Sequence, residues 1–261
     1  MNWQAIHFSY SFAGFVVGAL VGFTGVGGGS LMTPLLVLLF GISPATAVGT
    51  DLLYASITKC TGTLVHGFKG SIDWRVVRRL AAGSVPATAL TLIALNYLGT
   101  TSHGTSNLIT TTLGIALILT AISLLFRKWV LVYLARYVEG LPDSKTRLLT
   151  NLLGAFLGVL VSLSSVGAGA IGVTVLVLLY PNLKAVRIVG SDIAHAVPLT
   201  LVAGIGHWFM GSIDWPLLVS LLIGSLPGIA IGSTLASYVP DRFLRPALAT
   251  TLAVVGAKLS L

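Results

Sequence analysis

Charged residues are scarce in this sequence: Asp, Glu, Lys and Arg make up only 8% of its 261 residues, and seven of them are acidic. A soluble domain carries about a quarter charged residues, so these few cannot cover a surface that faces water. The single cysteine, Cys60, excludes an intrachain disulfide and a metal site built from several cysteines. Because hydrophobic residues make up 55% of the chain, the composition predicts a protein integrated in a membrane.

The apolar residues fall into ten segments, two of which are too short to cross a bilayer as helices. The segments are 8–24, 30–41, 44–66, 79–98, 106–126, 148–163, 170–181, 186–208, 216–238 and 243–261. Segments 30–41 and 170–181 would span about 15–18 Å at the helical rise, roughly half of the hydrocarbon core. Each follows a run of small residues, at 25–30 and 164–170. We therefore expect each run to be a break inside the membrane that joins a helix to a returning half-helix.

The basic residues are confined to alternate loops, which predicts the orientation of the chain. Basic residues accumulate in cytoplasmic loops, and this accounts for the net charge of +8 without a nucleic-acid partner. All but two of the 15 basic residues lie in or beside four loops: Lys69, Arg75, Arg78, Arg79, Arg127, Lys128, Arg136, Lys145, Arg147, Lys184, Arg187, Arg242 and Arg245. Placing these loops in the cytoplasm leaves both termini outside, provided that each short segment turns back to its own side.

An internal repeat relates the two halves of the chain at an offset of 141 positions. The matching stretches are 48–51 with 189–192, 66–74 with 207–215, and 83–86 with 224–227. The first Gly-Ser-Ile-Asp-Trp motif lies beside arginines, whereas the second lies in a loop without Lys or Arg. Opposite orientation of two related halves is typical of secondary transporters. The sequence therefore predicts an all-α polytopic membrane protein of two inverted repeats, each with a broken or re-entrant helix pair and three transmembrane helices.

The repeats are expected at 1–126 and 148–261, with a basic cytoplasmic linker at 127–147. The glycine-rich break with Pro34 after it, the Val-Gly-Thr/Ser elements and the repeat resemble the sulfite exporter TauE/SafE family. This resemblance implies a secondary transporter in the bacterial inner membrane that exports sulfite, an organosulfonate or a related small organosulfur anion. The second break is less regular, since Ala168 replaces a glycine and Thr174 stands where Pro34 stands in the first.

The two breaks are the predicted binding site for the anion. A half-helix that starts near the midplane presents unpaired N–H groups and the positive end of its dipole, which suits an anionic oxygen. The alternative is that small residues only permit close helix packing. The predicted substrate-binding residues are Thr24, Gly27, Gly28, Gly29, Ser30, Thr50, Lys59, Ser164, Ser165, Gly167, Gly169 and Ser191.

Four ionisable residues inside predicted helices form a second group of candidates. Lys59 would attract an anion if it faces the cavity, or else extend to the cytoplasmic surface. Asp51 and Asp192, at equivalent positions of the repeat, are structural or take up protons for coupling. His195 lies on the same helical face as Asp192 and is either a proton switch or a packed polar residue. Asp73 and Asp214 are expected to cap turns or helices.

No enzyme motif is present in the sequence, and we expect neither a cofactor nor a metal site. The serines of the second break lack a Gly-x-Ser-x-Gly motif, and the His and Asp residues lack metal-ligand spacing. Two alternatives to anion export stay open: transport of a cation or neutral solute through Asp51 and Asp192, and a non-transporting role as a membrane assembly partner. The oligomeric state is also open, with a homodimer as one alternative.

Overall fold

The computed structural model describes residues 8–24, 29–68, 70–99, 103–138, 141–167, 169–235 and 241–260. These residues are helical, with turns and short connections between the helices, and contain no strand. The helices are α1 (Phe8–Thr24), α2 (Gly29–Leu38), α3 (Pro44–Phe68), α4 (Trp74–Leu98), α5 (His103–Leu125), α6 (Arg127–Val138), α7 (Asp143–Ser164), α8 (Ala170–Leu179), α9 (Ala185–Phe209), α10 (Trp215–Leu235) and α11 (Asp241–Ser260). The all-helical prediction is confirmed.

Both predicted short segments are short helices. Helices α2 and α8 have 10 residues each, which gives a length of about 15 Å at 1.5 Å per residue. Five helical stretches of the described residues are long and apolar enough to cross a membrane: Trp74–Leu98, Gly104–Leu125, Asp143–Ser164, Ala185–Phe209 and Trp215–Gly232. Within the predicted linker, residues Arg127–Val138 form the helix α6, which the sequence did not reveal. The division into two repeats and a cytoplasmic linker stays a prediction.

The turns before α4 and α10 show why these helices begin where they do. Asp73 caps α4: its carboxylate accepts hydrogen bonds from the backbone N–H groups of Arg75 and Val76. The carboxylate of Asp214 accepts one from the N–H of Leu217 at 2.9 Å. The capping role predicted for both aspartates is confirmed, so the repeated Gly-Ser-Ile-Asp-Trp motif is a helix-start signal in each half.

Close helix pairs join the two halves, and each pair has a counterpart in the repeat. Helix α1 packs on α10, and α7, its counterpart in the repeat, packs on α4. At both interfaces glycines bring backbones so close that a Cβ would collide with the facing helix. The contacts are Gly14–Leu221 and Gly18–Ser225 between α1 and α10, and Gly154–Leu80 and Gly158–Ser84 between α7 and α4. The glycines of these helices are therefore required for packing, as in many membrane helix pairs.

The equivalent helices α3 and α9 pack directly on each other between these pairs. Buried apolar residues of α3, α4, α5, α7, α8 and α9 form one core cluster, and those of α1, α2, α3 and α10 form another. Large apolar residues on the outer faces remain exposed, among them Leu90, Ile93 and Tyr97 of α4. Exposed apolar area of this extent indicates a surface that another apolar medium covers, and lipid is that medium for a membrane protein.

Candidate functional site

The second break is a compact turn between α7 and α8. Helix α7 ends at Ser164, and Ser165 adopts a left-handed conformation with φ of 59°. Ser164 Oγ donates to the Leu160 carbonyl at 2.6 Å and accepts from the Val166 N–H at 3.2 Å. Gly167, with φ of 113°, has a conformation that a side chain would strain. Ser164 therefore holds the turn together.

The first break lies largely outside the described residues. Gly27 and Gly28 are not described, Thr24 is the last residue of α1, and Gly29 is the first of α2. Ser30, next to it, is buried. A role in binding for Thr24, Gly27, Gly28 or Gly29 stays a prediction.

Asp51 of α3 links the two halves at the break. One carboxylate oxygen, Oδ2, accepts a hydrogen bond of 2.5 Å from the Thr33 hydroxyl of α2. The hydroxyl of Ser165, from the second break, lies beside the same carboxylate. Asp51 is fully buried, and within the described part of the chain neither its Oδ1 nor Ser165 Oγ has a hydrogen-bond partner. A half-helix of one repeat and the break of the other thus meet at one carboxylate.

Asp192 of α9 occupies the equivalent position but has a different environment. Its Oδ1 lies against Gly172 in the first turn of α8, where a Cβ would leave no room. Asp192 is 2% exposed, and Oδ1 has no hydrogen-bond partner among the described residues. Helix α8 begins 141 positions after α2, so Thr174 matches Thr33, and the expectation that it stands in the place of Pro34 was one residue off. Thr174 donates to the Ala170 carbonyl of its own helix at 2.7 Å. The two halves are therefore not equivalent at their aspartates.

Lys59 brings a positive charge to both aspartates. It lies eight positions after Asp51 on α3 and within electrostatic reach of both carboxylates. Lys59 is partly exposed while both aspartates are buried. Its counterpart in the second half is Thr200, which is buried and bonds to the Ala196 carbonyl of its own helix. The charged group is thus one lysine between two aspartates, and it comes from both halves.

Two reciprocal hydrogen bonds tie each half to the turn of the other. The N–H of Asp73, before α4, donates to Ser191 Oγ of α9 at 2.7 Å. The N–H of Asp214, before α10, donates to Thr50 Oγ1 of α3 at 3.1 Å. The donors and the acceptors are both related by the repeat offset of 141 positions. The hydroxyl oxygens of Thr50 and Ser191, which were predicted to bind substrate, thus accept hydrogen bonds between the halves.

His195 also contacts the opposite half. Its Nε2 forms a hydrogen bond of 2.8 Å with Ser84 Oγ of α4, and it is fully buried. At the matching place in the other half, Tyr54 lies beside Ser225 of α10. The serines belong to the repeated Gly-Ser-x-Pro motif. His195 is therefore part of a paired interface between helices, and it also lies within electrostatic reach of Lys59.

The arrangement provides charge and hydroxyl groups for a ligand. The described residues contain no group of three or more His, Cys, Asp or Glu side chains that could hold a metal ion. The polar atoms that remain unpartnered in this part of the chain include Asp51 Oδ1, Asp192 Oδ1, Ser165 Oγ and His195 Nδ1. Because an unpaired buried polar atom is costly, each of these atoms is available to a charged or hydrogen-bonding ligand.

The profile of the sulfite exporter TauE/SafE family matches residues 10–259 of the chain. The chain belongs to this family. It is similar to the probable membrane transporter protein YjnA of Bacillus subtilis, with 41% identity over 94% of this chain and 96% of the relative. A second protein of that organism, the probable membrane transporter protein YdhB, is 29% identical over 93% of this chain and 95% of its own length. No solved structure matches the chain.

Membership of the TauE/SafE family makes the chain a membrane transporter protein, in agreement with the predicted class. Sequence reasoning did not identify Thr33, Ser84 or Tyr54 as neighbours of the charged residues. A signal for Thr33 was present, since it matches Thr174 at the repeat offset. Ser84 also lies in a repeated motif, but nothing in the sequence indicated which helix it would face.

Proposed function

We propose that the protein exports a small sulfur oxyanion, sulfite or an organosulfonate, from the bacterial cytoplasm across the inner membrane. The observation that carries this proposal is the partly exposed Lys59 at the junction of both halves, in a chain of the sulfite exporter family. An ammonium group inside a membrane is costly and marks an ion pathway by default. Its positive charge would attract an anion to the place where the second break meets α3.

Transport by alternating access is supported by the directions of the paired helices. Along α1 and α10 the contacting residues advance together, from Gly14–Leu221 to Gly18–Ser225, so these helices run parallel. Contacts between α3 and α9 run in opposite directions, because Gly49 meets His207 and Gly204 meets Leu53. The repeat relates α3 to α9, so these two helices point in opposite directions. Inverted halves of this kind can exchange conformations and open to either side.

The orientation follows from the charges of the loops. Lys69, Arg75 and Arg78 lie at the turn between α3 and α4, whereas the turn between α9 and α10 has no Lys or Arg. The first turn is therefore assigned to the cytoplasm, and both termini are then outside. Ser191 and its partner Asp73 lie on the cytoplasmic side, and Thr50 with Asp214 on the outer side. Each reciprocal hydrogen bond thus joins the halves near one face of the membrane.

Flux through reconstituted vesicles tests the proposed role of Lys59. Wild-type protein in proteoliposomes should transport labelled sulfite or sulfonate in a saturable way, and Lys59→Met should lose about 10- to 150-fold in kcat/KM. This range corresponds to losing about 1.5–3 kcal/mol, the value of a hydrogen bond to a charged group. The control is Lys145→Met, at an exposed residue near the start of α7. Unchanged transport in Lys59→Met, with normal folding, would refute the role of this charge.

The unpartnered oxygens of Asp51 and Asp192 favour a second candidate function, transport of a cation or neutral solute. Competition between sulfite and a panel of organic cations in the same vesicles distinguishes the two functions. Inhibition by a cation that is lost in Asp192→Asn would favour the second candidate. A protein that folds, forms a stable complex with another membrane protein and transports none of these solutes would instead be an assembly partner.

A further inference from the structure

The two reciprocal hydrogen bonds between the halves differ by one charged side chain nearby. On one face, Arg187 lies one helical turn before Ser191 in α9, and its carbonyl accepts a hydrogen bond of 2.6 Å from the Ser191 hydroxyl. The guanidinium Nη2 of Arg187 lies 3.9 Å from the carboxylate oxygen Oδ2 of Asp73. The matching position on the other face is Thr46, whose hydroxyl accepts a hydrogen bond from Ser43 before α3. The face that the loop charges assign to the cytoplasm therefore has an arginine where the outer face has a threonine.

Arg187 and Asp73 attract each other without forming a hydrogen bond. A separation of 3.9 Å between Nη2 and Oδ2 is too long for one. The Nε of Arg187 is shielded from water and has no hydrogen-bond partner among the described residues. In a planar guanidinium group, Nε–H and one N–H of Nη2 lie on the same edge and point the same way. Two parallel donors thus lie beside Asp73, and neither of them hydrogen-bonds to it.

The edge of Arg187 that carries these donors matches the geometry of an oxyanion. Two parallel N–H groups bind two oxygens of a carboxylate or phosphate at once, and sulfite and sulfonate groups present pairs of oxygens in the same way. The Asp73 carboxylate is held back from this position, because its Oδ1 accepts hydrogen bonds from the N–H groups of Arg75 and Val76 at the start of α4. The helix cap therefore keeps a carboxylate near Arg187 but prevents full pairing.

The pair is accessible to a solute from the aqueous phase. The side chain of Arg187 is 43% exposed and that of Asp73 is 22% exposed. Lys184, an exposed residue immediately before α9, adds a second positive charge one turn away. Because an ion pair as exposed as this one is weak, an anion with two acceptor oxygens can displace the carboxylate from Arg187.

We propose that Arg187 forms an entry site for small oxyanions at the cytoplasmic face, where a sulfite or sulfonate group displaces the Asp73 carboxylate. Because Nε is shielded in this conformation, the anion reaches both donors when the turn before α4 moves away from α9. Binding at Arg187 therefore favours the state in which the cytoplasmic face is open. On the outer face the corresponding residue is the uncharged Thr46, so the attraction for an anion acts at the cytoplasmic entrance. This role in loading rests on the proposed function, whereas binding at Arg187 does not.

Thermal unfolding of the purified full-length protein tests anion binding at Arg187. Unfolding midpoints are measured at rising concentrations of sodium methanesulfonate, with sodium chloride keeping the ionic strength constant. We expect a saturable rise of the wild-type midpoint. Half-saturation should need about tenfold more methanesulfonate in Arg187→Gln, the effect of losing one contact to a charged group. Arg78→Gln is the matched control, because the Nε of Arg78 donates to the Trp74 carbonyl of its own helix at 3.3 Å, and it should keep the wild-type response.

Asp73→Asn distinguishes anion binding from a purely structural role of the pair. Asparagine still caps a helix but no longer competes with an anion for Arg187. Half-saturation should therefore need about two- to fivefold less methanesulfonate, which corresponds to the loss of an exposed ion pair. Weaker anion binding in Asp73→Asn would overturn the site.

Arg187→Lys keeps the test informative if Arg187→Gln fails to fold. Lysine retains the positive charge but lacks the planar pair of donors, so it should also bind methanesulfonate more weakly than wild type. A wild-type midpoint that does not respond to methanesulfonate would overturn the site. Equal half-saturation in wild type and in every folded variant of Arg187 would overturn it as well.

The entry site and the transport proposal fail separately. Methanesulfonate binding that depends on Arg187, without flux of sulfite or a sulfonate in proteoliposomes, would leave the entry site in place and refute the transport proposal. Anion flux with the same KM from the cytoplasmic side in wild type and Arg187→Gln, together with equal half-saturation, would refute the entry site and leave the transport proposal in place.

Discussion

Loss of the two reciprocal hydrogen bonds is expected to open opposite faces of the protein. Ser191→Ala removes the acceptor of the Asp73 N–H, and Thr50→Val removes that of the Asp214 N–H. Leaving a buried N–H without a partner costs about 1–3 kcal/mol. If each bond is made only when its face is closed, that cost shifts the equilibrium between open and closed states by about 5- to 150-fold.

A cysteine in the second break reports which face has opened. Ser165→Cys on a Cys60→Ser background provides a single thiol near the junction of the halves. A membrane-impermeant thiol reagent is added to inside-out or right-side-out vesicles. Ser191→Ala should increase the labelling rate from the cytoplasmic side, and Thr50→Val should increase it from the outer side.

The matched control is Thr200→Val in α9. Its hydroxyl is buried, like that of Ser191, but bonds only to carbonyls of its own helix, at 2.8 Å and 3.4 Å. It should therefore leave the labelling rates near those of the background protein. Faster labelling from the same side in both Ser191→Ala and Thr50→Val would refute the assignment of the bonds to opposite faces. An equal increase in Thr200→Val would show that any lost hydroxyl loosens the protein.

Two further predictions concern stability. Gly83→Ala places a methyl group against the backbone carbonyl of Asn151. Overpacking of this kind should lower the free energy of unfolding, measured by denaturant titration, by about 1–3 kcal/mol. Gly104→Ala, where a Cβ meets no atom within 4 Å, is the control and should have little effect. A similar loss in both variants would refute the close-packing account. Asp143→Ala breaks an ion pair to Arg79 whose acidic partner is 70% exposed, so solvent screening should leave the unfolding midpoint nearly unchanged. A clear drop in thermal unfolding would mean that this pair anchors α7 to α4.

The sequence was sufficient to predict most of the helices. Hydropathy and small-residue runs predicted α2 and α8 within a few residues. A short apolar segment in a membrane has to satisfy its backbone hydrogen bonds internally, so it folds as a short helix. The capping role of Asp73 was also predictable, since it depends on neighbours in the chain. Helix α6 was not, because its basic and aromatic residues give no clear apolar stripe.

The site itself was predictable only in part. Asp51, Asp192 and Lys59 stood out because charge is rare inside apolar segments. Their partners did not, since the Ser191–Asp73 bond spans 118 positions and the Thr50–Asp214 bond spans 164. Such pairs depend on how the helices cross. The contact of Ser165 with a carboxylate of the other half also depends on how the helices cross, so the sequence could not indicate it.

Counterflow in proteoliposomes tests the central claim most directly. Vesicles that contain the protein are loaded with unlabelled sulfite and diluted into a trace of labelled sulfite. A carrier that exposes its site to one side at a time exchanges internal for external substrate, so labelled sulfite should accumulate transiently above its equilibrium level. Uptake that rises without an overshoot would contradict alternating access, and the absence of any protein-dependent uptake of sulfite or of a sulfonate would contradict anion transport itself.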